Sequence, residues 1–535
     1  MSNIKLLLYS IASGIIMALS WPAIGELTTV ILIAFTPLLL VEHEISKREG
    51  KTGFAVFSYA YLSFFIFNII TTYWIYHASL WGACMAVICN SLFMAIVFWL
   101  FHITKKKVGK KEGYISFVLY WLAFEYLHIN WELSWTWLTL GNVFAATPRN
   151  VQWYEYTGVL GGSLLVLVAN ILFFKVALKN KINDTFNWKG FALFLLIPIA
   201  MKLVSVFGFD AKSNGEEVEV VIVQPNIDPY NEKFTTSPSD QVEKMIGLAK
   251  EKLTPTTDYL IFPETAIPQA HWEHEFEYLY VTDELKKLKE TSPNLKSIIG
   301  SSSWELYIGG KGATKTARTL GDNGDQYDRY NTAFQLNQND EVQIHHKSKL
   351  VLGVEKLPFI SSIPFMEKLS INLGGTSGEL GTQESPSVFD APKSSSVIAP
   401  IICYESIYGE YVTEYSRKGA NLFAIITNDG WWDDTPGYKQ HLAYASLRAI
   451  ENRKWIVRSA NTGISAVIND RGEILERTTW WEPAVINAKV KLNDTLTFYA
   501  KYGDYIGRIA SLMALLMIAL TVVRALNKTG NRLKG

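Results

Sequence analysis

Apolar residues run almost unbroken near positions 4–22, 27–43, 54–76, 80–103, 114–129, 157–178, 189–208 and 504–524. A helix that crosses a bilayer needs roughly 20 such residues. Each run therefore predicts a membrane helix, although the fifth is short and carries Glu125. The first run, in MSNIKLLLYSIASGIIMALSWP, is longer than a signal-peptide core of roughly 7–15 residues. No small-residue cleavage pattern follows it, so it reads as a retained helix.

Between the seventh and eighth runs the pattern changes. VEVVIVQPN, DYLIFPE, SIIGSSS, SVIAPIICYE and NLFAIITNDG are short β-branched runs, each ending in a polar or Gly/Pro turn. They predict buried strands. SPSDQVEKMIGLAKEKL and YVTDELKKLKETS place apolar residues at helical spacing, the first behind a Ser/Asp cap signal. Strands alternating with helices imply a layered α/β domain. The expected division is a seven-helix membrane domain over 1–209, an α/β domain over 210–500, and an eighth helix with a tail over 501–535.

Charge orients this scheme. The connections EISKREGKTG, KKKVGKKEG, KNKINDTFNWKG and RALNKTGNRLKG are basic, and all four fall on one side if every helix spans. The opposite loops WPAIGE and HASLWG carry no Lys or Arg, and 130–156 carries Arg149 alone. Positive loops stay in the cytoplasm. Both termini are therefore expected there, with 210–500 outside, in the periplasm where a cell has one. The composition agrees with membrane segments: 49% hydrophobic, 13% aromatic and 19% charged, against roughly 25% charged in an average soluble chain. Zero net charge provides no field for nucleic acid.

Candidate chemistry lies just past three predicted strands: Glu264 in LIFPETAIPQ, Lys347 in HHKSKLVLGVEKLPF and Cys403 in IICYESIYGEY. Cys84 and Cys89 sit in one apolar run and read as buried thiols. Cys403 stands apart, between a strand and a predicted helix, ESIYGEYVTEYSRKGA. A sulfur at a helix N-terminus is favoured as thiolate, and a nearby lysine would favour it further. A carboxylate such as Glu264 would take the thiol proton, and Lys347 would face the oxyanion of an attacked carbonyl. Taken singly, each residue also fits an ordinary structural role, and their spacing alone does not decide. No ligand cluster argues for a metal, and no cofactor is expected.

Together these segments resemble the nitrilase superfamily, whose signature is a Glu-Lys-Cys triad in this order. YNTAF at 330–334, TNDGWW at 427–432 and the long segment from His441 resemble further family motifs. The eight-run layout, Trp21-Pro22 and the Trp-rich ELSWTWLTLGN at 132–142 are similar to its membrane-fused branch, the apolipoprotein N-acyltransferases. The resemblance implies eight transmembrane helices plus an extracytoplasmic α-β-β-α sandwich in a bacterial inner membrane. It implies Glu264 as general base, Lys347 as oxyanion stabiliser and Cys403 as acyl-carrying nucleophile. Glu355 supports them, with Tyr404 and Glu405 after the nucleophile and Trp431, Trp432 and Trp137 as substrate contacts. The implied reaction moves the sn-1 acyl chain of a phospholipid, phosphatidylethanolamine, through a thioester to the N-terminal diacylglyceryl cysteine of an apolipoprotein. The alternative is a membrane-tethered amidase or hydrolase of the same superfamily. Three positions depart from the family pattern: Lys349, Val354 and Thr136.

Overall fold

The computed structural model describes residues 1–183, 186–209, 215–233, 235–356 and 379–533. They form two compact units, one from Met1–Asp210 with Tyr502–Gly535 and one from Ala211–Lys501. The expected boundary at 209/210 adjoins residues 210–214, which lie outside the described residues.

The first unit is helical. In chain order its helices are α1 (Asn3–Leu19), α2 (Thr36–Ser46), α3 (Gly53–Thr72), α4 (Ile75–Ala78), α5 (Leu80–Lys107), α6 (Lys110–Asn130), α7 (Tyr154–Asn183) and α8 (Trp188–Phe209). A last long helix covers Tyr505–Leu533 and packs on α6. The second apolar run is divided: a 3₁₀ stretch, Thr28–Ile33, precedes α2. Six segments among the described residues are long and apolar enough to cross a membrane; α1 is shorter and α6 is not among them. Large apolar side chains stand exposed along α8 (Leu196, Ile199, Leu203) and the last helix (Leu512, Leu515, Leu516). Exposed apolar surface on this scale fits lipid and not water, so the chain is a multi-pass membrane protein.

Several buried polar side chains inside this unit find partners on neighbouring segments, as burial favours. Asn170 of α7 accepts from Phe35 N (2.7 Å) and donates to Ile31 O (2.8 Å). Glu42 of α2 bonds Lys105 of α5 and lies 2.7 Å from His102 Nδ1. Glu125 of α6 accepts from Trp121 Nε1 (3.0 Å) and Leu140 N (2.8 Å), and so anchors the loop after Trp137.

The second unit contains two facing sheets. Strands β1 (Glu217–Gln224), β2 (Thr257–Ile261), β3 (Ile267–Trp272), β4 (Lys296–Tyr307), β5 (Arg318–Leu320), β6 (Asp325–Leu336) and β7 (Val342–His346) join β13 (Ala484–Lys491) in one. The other is β8 (Ile398–Ile402), β9 (Leu422–Thr427), β10 (Trp455–Ala460), β11 (Ala466–Ile468) and β12 (Ile474–Arg477). Successive side chains alternate between faces. Val220 and Ile222 therefore meet Ile402, Ala424, Ile426 and Val457 between the sheets. Val221 and Val223 face outward onto a helical layer. That layer is α9 (Pro238–Lys252) and α10 (Tyr280–Leu288), which bury Val242, Met245, Ile246, Ala249 and Leu285. On the far side α11 (Gly409–Arg417) and α12 (Pro436–Asn452) cover the second sheet. The order helix, sheet, sheet, helix is the expected sandwich.

Both sheets contain parallel neighbours: β1 with β2 and β2 with β4 in one, β8 with β9 and β9 with β10 in the other. Parallel strands bring their carboxyl ends to one edge, where sites of α/β folds gather. Glu264, Cys403 and Asp429 follow β2, β8 and β9, and Lys347 follows β7.

Candidate active site

Lys347 leaves β7 with its N–H bonded to Asn331 O (2.8 Å). Its ammonium is buried and donates to Glu264 Oε1 (3.0 Å) and Glu355 Oε1 (2.9 Å). Asn331 Nδ2 donates to the same two oxygens, at 2.8 and 2.9 Å. The second oxygen of Glu355 accepts from Val351 N (2.8 Å), which closes the turn after Lys347. Glu264 Oε2 has no such partner among the described residues, so this is the oxygen left to take a proton. Burial alone would lower the Lys347 ammonium. The Glu264 and Glu355 carboxylates outweigh it and hold the ammonium well above the ordinary lysine value.

The Glu264 turn rests on β4. Gly300 donates to Pro263 O (3.1 Å), and a Cβ on Gly300 would lie 2.6 Å from Glu264 Cα, Pro263 O and Thr265 N. The next residue, Thr265, has φ +45°.

Cys403 follows β8 with φ +47°, a left-handed conformation that costs a side-chain-bearing residue about 1–3 kcal/mol. Its carbonyl oxygen accepts from Ser406 Oγ (2.7 Å) and lies 3.2 Å from His441 Nε2. Glu405 clamps the elbow to the lysine segment. Its Oε2 accepts from Ile402 N (2.9 Å), and its Oε1 from Ser348 N (2.7 Å) and Tyr411 Oη (2.8 Å). Burial opposes this carboxylate, yet His345 and the two backbone donors hold it below the usual range.

Two expectations for Cys403 are corrected. It begins a 3₁₀ turn, Cys403–Ile407, and the α-helix starts only at Gly409. The α-helical N-terminus expected to favour a thiolate is therefore six residues downstream. Burial, then the Glu264 carboxylate, also push the thiol up, and Lys347 offsets only part of this. The resting group is a thiol, so activation needs a base to remove its proton.

Beneath the sulfur lies a second network that the sequence reading missed. Asp429 accepts from Thr427 Oγ1 (2.8 Å) and Arg458 Nη2 (2.6 Å), and lies 3.0 Å from His441 Nδ1. Thr427 also stands near the Cys403 side chain and favours its thiolate slightly. Cys403, Asp429 and His441 offer donor atoms within 4.8 Å of one another, as do Glu273, Glu305 and His346. In the first set Arg458 and Thr427 already occupy the Asp429 carboxylate, so these residues fit a polar network better than a metal. Asn331 lay within the YNTAF motif and Asp429 within TNDGWW, so both were flagged by segment. Thr427 opens the same TNDGWW motif and Arg458 lies in the segment from His441, but nothing in either segment singled out these two side chains.

The remaining candidates are placed as follows. Tyr404 is buried with its ring edge-on to Tyr408 (5.3 Å). Trp431 packs edge-on to Tyr230 (5.1 Å), and Trp432 edge-on to His441 (5.6 Å). Trp137 belongs to the helical unit, buried against Trp74 (4.9 Å). Lys349 lies over the rings of Tyr408 and Tyr411, at 5.4 and 5.3 Å. A thiol, a carboxylate with one free oxygen and a buried ammonium within electrostatic reach can pass an acyl group through a thioester.

Comparison with known proteins bears on both units. The carbon-nitrogen hydrolase family matches residues 220–498, and the apolipoprotein N-acyltransferase N-terminal domain matches 13–172. Among solved structures, a Saccharomyces cerevisiae member of branch 10 of the nitrilase superfamily is similar at 16% identity and a TM-score of 0.36. It covers 52% of this chain and 93% of its own. The apolipoprotein N-acyltransferase of Geobacter metallireducens is 29% identical over 93% of this chain and 91% of its own length. That of Chlorobaculum tepidum is 30% identical, with 96% of each chain aligned. With both units matched and the likeness running nearly end to end, the chain belongs to the apolipoprotein N-acyltransferase family.

Proposed function

We propose that the chain acylates lipoproteins by a two-step transfer through Cys403. The donor is a phospholipid, phosphatidylethanolamine, and the group moved is its sn-1 acyl chain. The acceptor is the α-amino group of the diacylglyceryl cysteine at an apolipoprotein N-terminus, and the product is triacylated. The observation that carries this reading is Lys347 held between Glu264 and Glu355 within electrostatic reach of the Cys403 thiol.

In the first step the free oxygen of Glu264 takes the thiol proton as sulfur attacks the ester carbonyl carbon. Lys347, whose ammonium stays charged, faces the oxyanion. Collapse breaks the ester C–O bond, and Glu264 returns the proton to the departing glycerol oxygen. A lysophospholipid leaves and a thioester remains. In the second step the acceptor amine attacks that thioester, the C–S bond breaks, and an N–H proton passes through Glu264 to the sulfur. Glu355 and Asn331 position Lys347 and Glu264, and Glu405 positions the Cys403 elbow.

The two units take separate tasks. All eight apolar runs cross the bacterial inner membrane, and both termini face the cytoplasm. The sandwich lies on the periplasmic side, where its lipid-anchored substrates present their headgroups. Trp137, Trp431 and Trp432 contact substrate. The alternation of basic loops with loops poor in Lys and Arg supports this orientation.

The test is incubation with acyl-labelled phosphatidylethanolamine. The wild type acquires a hydroxylamine-sensitive label and passes it to a diacylglyceryl peptide, whereas Cys403→Ala does neither. Label on the Ala variant would remove Cys403 from the reaction, and release of free fatty acid without peptide acylation would make the chain a hydrolase.

A further inference from the structure

The two half-reactions differ in their proton balance. In the first, the thiol proton ends on the leaving glycerol oxygen and nothing is left over. In the second, an α-amino group with an ordinary pKa near about 8 arrives mostly as ammonium. It must lose one proton before it can attack and a second as the amide forms. The second proton returns to the sulfur through Glu264. The first needs another base, in a site shielded from water.

We propose that Lys233 is that base, accepting the surplus proton of the acceptor ammonium in the second half-reaction. This rests on the thioester reading above. Lys233 hangs from the loop after β1 and is 3% exposed. Among the described residues its ammonium has a single hydrogen-bond partner, Thr265 Oγ1 at 2.8 Å, and no carboxylate at ion-pair distance. Thr265 is the residue beside Glu264, in the left-handed conformation that turns the chain there. A buried ammonium with one neutral partner is costly to keep charged. Burial accordingly pulls Lys233 down to about 8 against the attraction of Glu264. That value matches the group it would deprotonate, the condition for efficient proton transfer.

The neighbouring charges leave this role to Lys233. On its own loop, Asp228 accepts from Tyr230 N and Asn231, and Glu232 accepts from Asp228 N. On α9, Gln241 holds the Lys233 carbonyl oxygen (2.9 Å). Behind Glu264 stand Lys347 and Glu355, bound to each other. Asp429 and Glu405 are each committed to several donors. The same loop packs on the Trp431 segment, where Tyr230 Oη donates to Trp431 O (3.0 Å).

The transfer balances. Lys233 as free amine takes H⁺ from R–NH₃⁺ and becomes ammonium. The resulting R–NH₂ forms the C–N bond, the C–S bond breaks, and the remaining amine proton reaches the sulfur. Lys233 then releases its proton to solvent when the product leaves.

The experiment uses full-length protein in detergent, acylated by phosphatidylethanolamine and then mixed with a diacylglyceryl peptide. Lys233→Met and Lys233→Arg are compared with the wild type. Arg keeps the cation and fills the space yet cannot give up its proton. Both variants should form the thioester at rates near the wild type, which tests the Cys403 reading separately. Both should transfer to the peptide about 100-fold more slowly at pH 7. The deficit should shrink at pH 9, where the acceptor is already free amine. Cleavage of the thioester by hydroxylamine, uncharged at pH 7, should be unaffected. Wild-type transfer by either variant, equal loss of both half-reactions, or a deficit that does not change with pH would each overturn the proposal.

Discussion

Lys347 meets two carboxylates and a nearby thiol, and this arrangement sets the protonation of the whole cluster. The ammonium is pinned as a cation by Glu264 and Glu355, so it serves as a fixed charge and not as a proton carrier. Cys403 is pushed the other way, first by burial and then by the negative charge of Glu264. Glu264 therefore opposes the standing thiolate, yet it is the base proposed to make one during the reaction. This gives a prediction with two opposite signs. In Glu264→Gln the repulsive charge is gone, the thiol is lowered, and the thiolate fraction at any pH below its pKa rises. Alkylation of Cys403 by iodoacetamide at pH 8 should become faster than in the wild type. Acyl transfer should fall roughly 100- to 10,000-fold, the usual contribution of a positioned base. Slower alkylation in the variant would mean that Glu264 does not oppose the resting thiolate. Glu264 and Cys403 were legible as candidates because each directly follows an apolar strand, and Lys347 because its segment resembles a family motif. The raised thiol was not legible, because spacing along a chain says nothing about how completely a sulfur is removed from water.

The elements act through what their backbones bring together. β4 supplies the floor beneath the Glu264 turn, and Gly300 is the point of contact. A methyl group there would meet three backbone atoms of that turn at 2.6 Å, so the turn must move and not merely a side chain. Gly300→Ala should leave the protein inserted and folded but displace Glu264 from Lys347. A displacement of about 1 Å in a reacting group costs on the order of 100-fold. Thioester formation measured in a single turnover should fall by that order, with unchanged yield from membranes. A wild-type rate would show that the turn tolerates the shift. The strands beneath the site were readable from their apolar runs, as were α9 and α10 from helical spacing. The pairing was not. β3, β5, β7 and β11 to β13 are short or half-exposed, and nothing local states that β13, near the end of the unit, returns to lie beside β1. The helix expected directly after Cys403 was likewise misplaced, because the stretch Glu405–Tyr408 serves the clamp and not the helix.

At the scale of the whole chain, the apolar runs decide how a family of hydrolase-like sandwiches can use substrates that never leave a bilayer. Acyl chains anchored in lipid cost about 0.8 kcal/mol per methylene to extract, so a freely soluble sandwich would lose most of its binding energy to extraction. Joining the sandwich to helices removes that cost, provided that both lie where the lipid headgroups are. The proposed orientation rests on the basic loops and can be tested directly. In a Cys403→Ala background that also lacks Cys84 and Cys89, single cysteines are placed at two exposed positions: Lys111→Cys in the first turn of α6, within the basic segment that follows α5, and Glu290→Cys after α10. A membrane-impermeant maleimide added to intact spheroplasts should label position 290 at once. It should reach position 111 only after detergent opens the membrane. The reverse pattern would put the sandwich in the cytoplasm, where it could not meet lipoproteins already exported, and equal labelling of both positions in intact cells would mean that the intervening helices do not alternate across the bilayer.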